Sequence, residues 1–259
     1  MQEEEIALPG GTHGPVVRVG DTVRRISRPS TPAVHSVLRH LEAKGFDGSP
    51  RALGFDEQGR EVLSFVAGEV GLPIRERVLP VHVRDETTLA GVARLLRGLH
   101  DATLDFLPPA DAAWASLVGG PRSGEVICHN DVGPYNTVFV DGHPTAFIDW
   151  DEAAPAPRLW DVAYALYRFV PFLPDEICSL IGWPEPPDRA RRTQLFCDAY
   201  GLEQRSGLME TAERRVDSMI ATGLARNAAR EPKYGDEWLR VMKPRLVRDL
   251  EFVRSLAPL

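Results

Sequence analysis

No apolar stretch in this sequence is long enough to cross a membrane. About eighteen residues are needed, and the best run, Val162 to Leu173, is broken by Arg168 and Pro171. The first residues, MQEEEIALPGG, are acidic and lack the apolar core of a signal peptide. Cysteine is scarce: Cys128, Cys178 and Cys197 are odd in number and have no metal-ligand spacing. That argues against a disulfide framework and a zinc motif, and suits small buried residues in a reducing compartment. A cytoplasmic protein is expected. Positive charge is short as well, with 30 Lys and Arg against 37 Asp and Glu and a net charge of −7. A nucleic-acid binder carries a basic face instead, so neither nucleic acid nor membrane is an expected partner. The acidic balance would suit a cationic small molecule. There is no internal repeat, no low-complexity segment, and no phosphate loop ending in Gly-Lys-Ser/Thr.

What is present suffices for two lobes, since 259 residues allow an ample core. Short β-type segments at Glu5–Leu8, Pro15–Val19, Thr22–Ile26, Arg51–Phe55 and Glu61–Val66 surround one helix that opens at Thr31-Pro32 and ends at Gly45. The glycine-rich stretch Gly10 to Gly14, with Gly11 at its centre, lies between the first two strands and could lay backbone N–H groups over phosphates. Residues 67–80 read as an irregular linker, and a long helix follows to Ala102, with Leu89, Val92, Ala93, Leu96 and Leu99 on one face. Leu107–Gly124 reads as a loop with a short helical turn near Ala112–Leu117. The prolines after Asp151 argue against a regular element before Arg158. Everything beyond is helical, and Pro244 should kink or restart the last helix. The expected fold class is therefore α+β and two-lobed: residues 1–66 as a small antiparallel sheet with one helix, and residues 67–259 as a mostly helical lobe.

The chain is organised around Val126–Asp151, VICHNDVGPYNTVFVDGHPTAFIDWD. Asp141-Gly142 is a hairpin turn signal flanked by apolar strands. Centring the turn between Gly142 and His143 sets Asn136 opposite Asp149, with Asp131 on the adjoining loop. Converging oxygen donors suit a hard divalent cation. His129-x-Asp131-x-x-x-x-Asn136 followed by Asp149 also has the layout of a phosphoryl-transfer site. There one Asp receives or orients a hydroxyl proton, while an Asn and a second Asp hold Mg²⁺ on nucleotide phosphates.

At these residues the sequence resembles the aminoglycoside phosphotransferase and choline kinase-like family, which shares the protein kinase-like fold. The resemblance covers most of the chain and is strongest over CHNDVGPYNTVFV and AFIDWDEAAPAPRLWDVA. It implies a small-molecule kinase that moves the γ-phosphoryl of ATP or GTP to an alcohol acceptor, an aminoglycoside or other antibiotic being the family's own suggestion. It further implies Asp131 as catalytic base, Asn136 and Asp149 as Mg²⁺ ligands, and His129 and Asp161 as braces of the loop. Ser64, Phe65 and Val66 would form the hinge that contacts the base, and Gly11 would sit in the phosphate-covering loop.

Two departures stand out. Where many members carry a Lys on the third strand, this chain has Arg24 and Arg25, which alternation sends to opposite faces. Arg24 is favoured for the cleft, with Arg25 next. The helix Glu that would pair with that Lys is also missing, Val34 and His35 occupying its region. These gaps motivate the alternative of a non-catalytic, kinase-like nucleotide-binding or regulatory protein. Glu203, Glu210, Glu213, Asp217, Asp236 and Glu237 are candidates for an acidic rim that would recognise ammonium groups.

Overall fold

β-branched residues punctuated by turns build the first layer. In the computed structural model, which describes residues 4–8, 14–71, 78–115 and 117–256, strands β1 (Ile6–Ala7), β2 (Val17–Val19), β3 (Thr22–Arg25), β4 (Ala52–Phe55) and β5 (Glu61–Ser64) form an antiparallel sheet. Its order is β1-β2-β3-β5-β4. Helix α1 (Thr31–Ala43) interrupts it in sequence and buries Val34, Val37, Leu38 and Leu41. The β3–β5 register sets Arg25 directly opposite Glu61. Opposed positions bring side chains of one sheet face together.

The second lobe is helical. α2 (Val81–Arg84) and α3 (Glu86–Ala102) lead into it, and α4 (Arg158–Phe169), α5 (Asp175–Leu180), α6 (Arg189–Tyr200), α7 (Leu208–Ala228) and α8 (Lys243–Ser255) complete it. α3 packs on α6, α4 on α7, and α7 on α8. α4 is buried on nearly every side, from Trp160 to Tyr167, as an almost uniformly apolar helix must be. A wide helical turn at Trp238–Met242 runs into α8, whose first turn holds Pro244. No helix among the described residues is long and apolar enough to cross a membrane.

Four expectations need correction. Within the segment read as linker, β6 (Glu69–Val70) pairs with β8 (Thr137–Val140), so the hairpin of β8 and β9 (His143–Phe147) is a three-stranded sheet. The proline-rich stretch after Asp151 holds β10 (Ala154–Ala156), antiparallel to β7 (Val126–Cys128). Pro155 is tolerated there because a two-stranded ribbon leaves one side of each strand without a neighbour. Residues 112–115 form no helical turn. Finally, Asn136 stands opposite Ile148 rather than Asp149: Thr137 pairs with Phe147 and Val138 with Ala146, and the Ile148 N–H donates to the Asn136 carbonyl at 2.9 Å. The turn is the two-residue Asp141-Gly142, with φ of 49° and 76°, the left-handed pair that suits the strand twist. The register then slips between Val138 and Phe139. Pro144, which has no N–H to give, sits at the slip, as bulges allow.

Candidate functional site

α4 supplies the floor. Asp161 stands in its first turn, fully buried, and its two carboxylate oxygens accept the backbone N–H groups of His129 at 2.7 Å and Asn130 at 2.8 Å. Burial pushes this carboxyl up, but the His100 hydrogen bond and the backbone donors outweigh it and leave it below the ordinary range. Asn130 takes a left-handed conformation, φ 66°, which turns the chain so that consecutive N–H groups face one carboxylate. His129 is equally buried. Its Nε2 bonds the Ile148 carbonyl at 3.0 Å and its Nδ1 accepts the Asp131 N–H at 3.3 Å, which assigns the proton to Nε2. Both side chains thus bond the backbone of the loop and its surroundings.

Asp131 is the most densely bonded side chain of the loop. One carboxylate oxygen accepts the hydroxyls of Tyr135 at 2.7 Å and Tyr164 at 2.8 Å, and the other accepts Asn136 Nδ2 at 2.9 Å. Burial, and after it the Asp131 charge, raises both phenols, so they stay protonated donors. Asn136 spends its side-chain nitrogen on Asp131, and its side-chain oxygen Oδ1 accepts no hydrogen bond among the described residues.

Asp149 follows β9 in the left-handed region, φ 62°, and its side chain is 48% exposed. Across the cleft it meets Arg25, not the Arg24 favoured from sequence. Arg25 Nη1 donates to Asp149 at 2.8 Å, Nη2 pairs with Asp151 at 2.7 Å, and Nε donates to Glu61 at 2.6 Å. Arg24 faces the other way, toward Asp56 at 3.9 Å. Glu61 also bonds His35 of α1 at 3.0 Å. Burial pushes Glu61 up, yet the His35 bond and the Arg25 charge bring it below its ordinary value. The carboxylate that the helix lacks is therefore supplied by β5, with the helix contributing His35 behind it. Sequence reasoning missed Glu61, His35, Asp151, Tyr135 and Tyr164. The signal for Glu61 was available only to a reader who already paired β3 with β5.

Three carboxylates (Glu61, Asp149 and Asp151) face two guanidiniums, Arg25 and Arg28. Burial pushes the Asp151 carboxyl up to about 6 against the pull of Arg25 and with the push of Asp149. The surplus negative charge, the second Asp149 oxygen and the uncommitted Asn136 oxygen form an oxygen-only donor set that fits a hard divalent cation. At the expected hinge, the Ser64 N–H donates to Arg51 and the Phe65 N–H to Asp21. Only Val66 has an N–H with no backbone partner among the described residues. Gly11 lies outside the described residues. Of the acidic rim candidates, Glu213 pairs with Arg254, and Glu203, Glu210, Asp217, Asp236 and Glu237 are exposed.

A family model described as "Phosphotransferase enzyme family" matches residues 110–195, the span that holds Asp131, Asn136, Asp149 and Asp161. The chain is 37% identical over 214 residues to the trifolitoxin immunity protein of Rhizobium leguminosarum bv. trifolii, covering 80% of this chain and 78% of that protein. Among solved structures, the GDP complex of wild-type aminoglycoside 2'-phosphotransferase-IIIa has a TM-score of 0.64 at 14% identity, over 97% of this chain and 93% of that one. The Plasmodium vivax ethanolamine kinase has a TM-score of 0.63 at 14% identity, over 97% and 81%. These likenesses show the two-lobed, protein kinase-like fold expected from the sequence.

Proposed function

Because this chain belongs to the phosphotransferase enzyme family, we propose that it transfers the γ-phosphoryl group of ATP or GTP to a hydroxyl of a small-molecule acceptor. The observation that carries the reading is the convergence at one cleft of Asp131 from the loop braced by Asp161 and of Arg25 and Asp149 from opposite lobes. The acceptor oxygen attacks the γ-phosphorus while its proton passes to the Asp131 carboxylate, and the bond from the γ-phosphorus to the β-phosphate oxygen breaks. Tyr135, Tyr164 and Asn136 hold that carboxylate in place throughout. Asn136 and Asp149 would hold Mg²⁺, whose charge would offset that of the phosphates. Arg25, kept in position by Glu61 and His35, offers its fork to the phosphates in exchange for Asp149. Glu61 answers one of the two motives for a non-catalytic reading, since a carboxylate partner for Arg25 is present on another element.

The nucleotide in the aminoglycoside 2'-phosphotransferase-IIIa structure is GDP, so GTP stands beside ATP as a candidate donor. The 37% identical relative is an immunity protein, which supports an antimicrobial compound as the acceptor and protection as the outcome. The test is nucleotide consumption, with ATP and with GTP, across antibiotics, amino alcohols and sugars. With a true acceptor, Asp131→Asn should lower turnover by about a hundredfold or more and leave nucleotide binding intact. Full turnover in that variant would overturn the assignment.

A further inference from the structure

The face of α4 that braces the catalytic loop continues past Asp161 to Tyr164 and Arg168, at helical spacing. Tyr164 donates to Asp131, and the Arg168 guanidinium lies over the Tyr135 ring, 5.0 Å from its centre. Arg168 forms no ion pair and no hydrogen bond among the described residues, and its Nε is buried without a partner. From α7, Arg215 is 3% exposed and stacks 4.3 Å over the Tyr164 ring. It donates once, to the Asn130 carbonyl, and its Nε and Nη1 have no partner. Arg248 on α8 likewise leaves a buried Nε unpartnered. The buried carboxylate among these arginines, Asp249, accepts the Tyr167 hydroxyl at 2.7 Å. A molecule with a net charge of −7 therefore gathers guanidiniums without ion-pair partners around the two tyrosines that hold Asp131.

Guanidiniums drawn out of water without a counter-ion are costly, and an arriving anion removes the cost. A carboxylate matches the arginine fork with two parallel hydrogen bonds. We infer that the acceptor is anionic, a hydroxyl compound bearing a carboxylate. The carboxylate pairs with Arg168, and Arg215 sets the field behind it. This rests on the phosphotransferase reading and narrows its substrate class away from polyamines.

The test uses the full chain saturated with Mg²⁺ and a non-hydrolysable ATP analogue, followed by melting temperature and calorimetry. The probes are glucuronate and gluconate, against glucosamine and kanamycin. The sugar acids should stabilise the complex further, and the amino sugars should not. Arg168→Gln should weaken glucuronate binding by about tenfold or more and Arg168→Lys by about threefold, with the nucleotide shift retained in both. Three outcomes would overturn the inference: binding of the amino sugars but not the acids, no response to either acid, or unchanged glucuronate affinity in Arg168→Gln. If Arg168→Gln does not fold, the comparison of acids with amino sugars on the unaltered chain still decides. Loss of the nucleotide shift itself in the unaltered chain would instead defeat the phosphotransferase reading.

Discussion

His129 shows how much one side chain is asked to do. Its ring is packed edge-on against Phe147 and Trp150 and joins β9 to the catalytic loop. Burial pushes its pKa down, against the neighbouring carboxylates. The folded state therefore resists protonation that the unfolded chain accepts. The structure keeps its full stability above the unfolded imidazole value of about 6.5 and loses it as pH falls below that value. Melting temperatures measured from pH ~8 down to pH ~5 should fall for the natural chain and fall less for His129→Gln. Glu61 works in the opposite sense of charge. It is 1% exposed and holds both Arg25 and His35. Glu61→Gln keeps the shape but removes the counter-charge, so a loss of about 1–3 kcal/mol in unfolding free energy is expected. A rise in the KM for nucleotide larger than the fall in kcat should accompany it, because Arg25 loses its anchor rather than the reaction losing its base.

Among the elements, the β8–β9 hairpin and the α7–α8 pair carry the geometry. The bulge at Val138–Phe139 moves Asp149 one place past Asn136, and the left-handed backbone at Asp149 re-aims its carboxylate. Bulges beside functional sites commonly re-aim a side chain in this way. Farther off, Gly223 on α7 sits against the Trp238 ring at the turn into α8, and a Cβ there would lie 1.9 Å from a ring carbon. Gly223→Ala must displace a 7% exposed tryptophan, so it should cost about 1–3 kcal/mol, read as a lower melting temperature. The reason for a glycine at position 223 was not visible in the sequence. The glycine is needed by an aromatic ring that reaches it only after the chain has reversed.

Taken whole, the molecule is two lobes joined across the cleft by Arg25 to Asp149 and Asp151. On the proposed function, a Mg²⁺–nucleotide complex would compete for the same carboxylate. Binding at about a hundred times the Kd should raise stability by about 2.7 kcal/mol, and the Mg²⁺-dependent part of that gain should vanish in Asp149→Asn. Thermal shift with nucleotide, with and without Mg²⁺, measures it. Equal shifts in the variant would remove Asp149 from the metal site.

The two-lobed fold, most of its elements and the hairpin region that carries Asp131, Asn136 and Asp149 were legible in the sequence. They depend on local periodicity, turn chemistry and the spacing of polar residues within one short loop and hairpin. Strand alternation showed that only one of Arg24 and Arg25 could face the cleft, but not which. Tertiary structure decided that, because the choice depends on the β3–β5 register that sets Arg25 against Glu61. The two-residue turn and bulge decided the partner of Asn136, which a one-residue change of register would alter. The packing of α4 and α7 placed Arg168 and Arg215 beside the loop that holds Asp131, from positions that no local pattern relates.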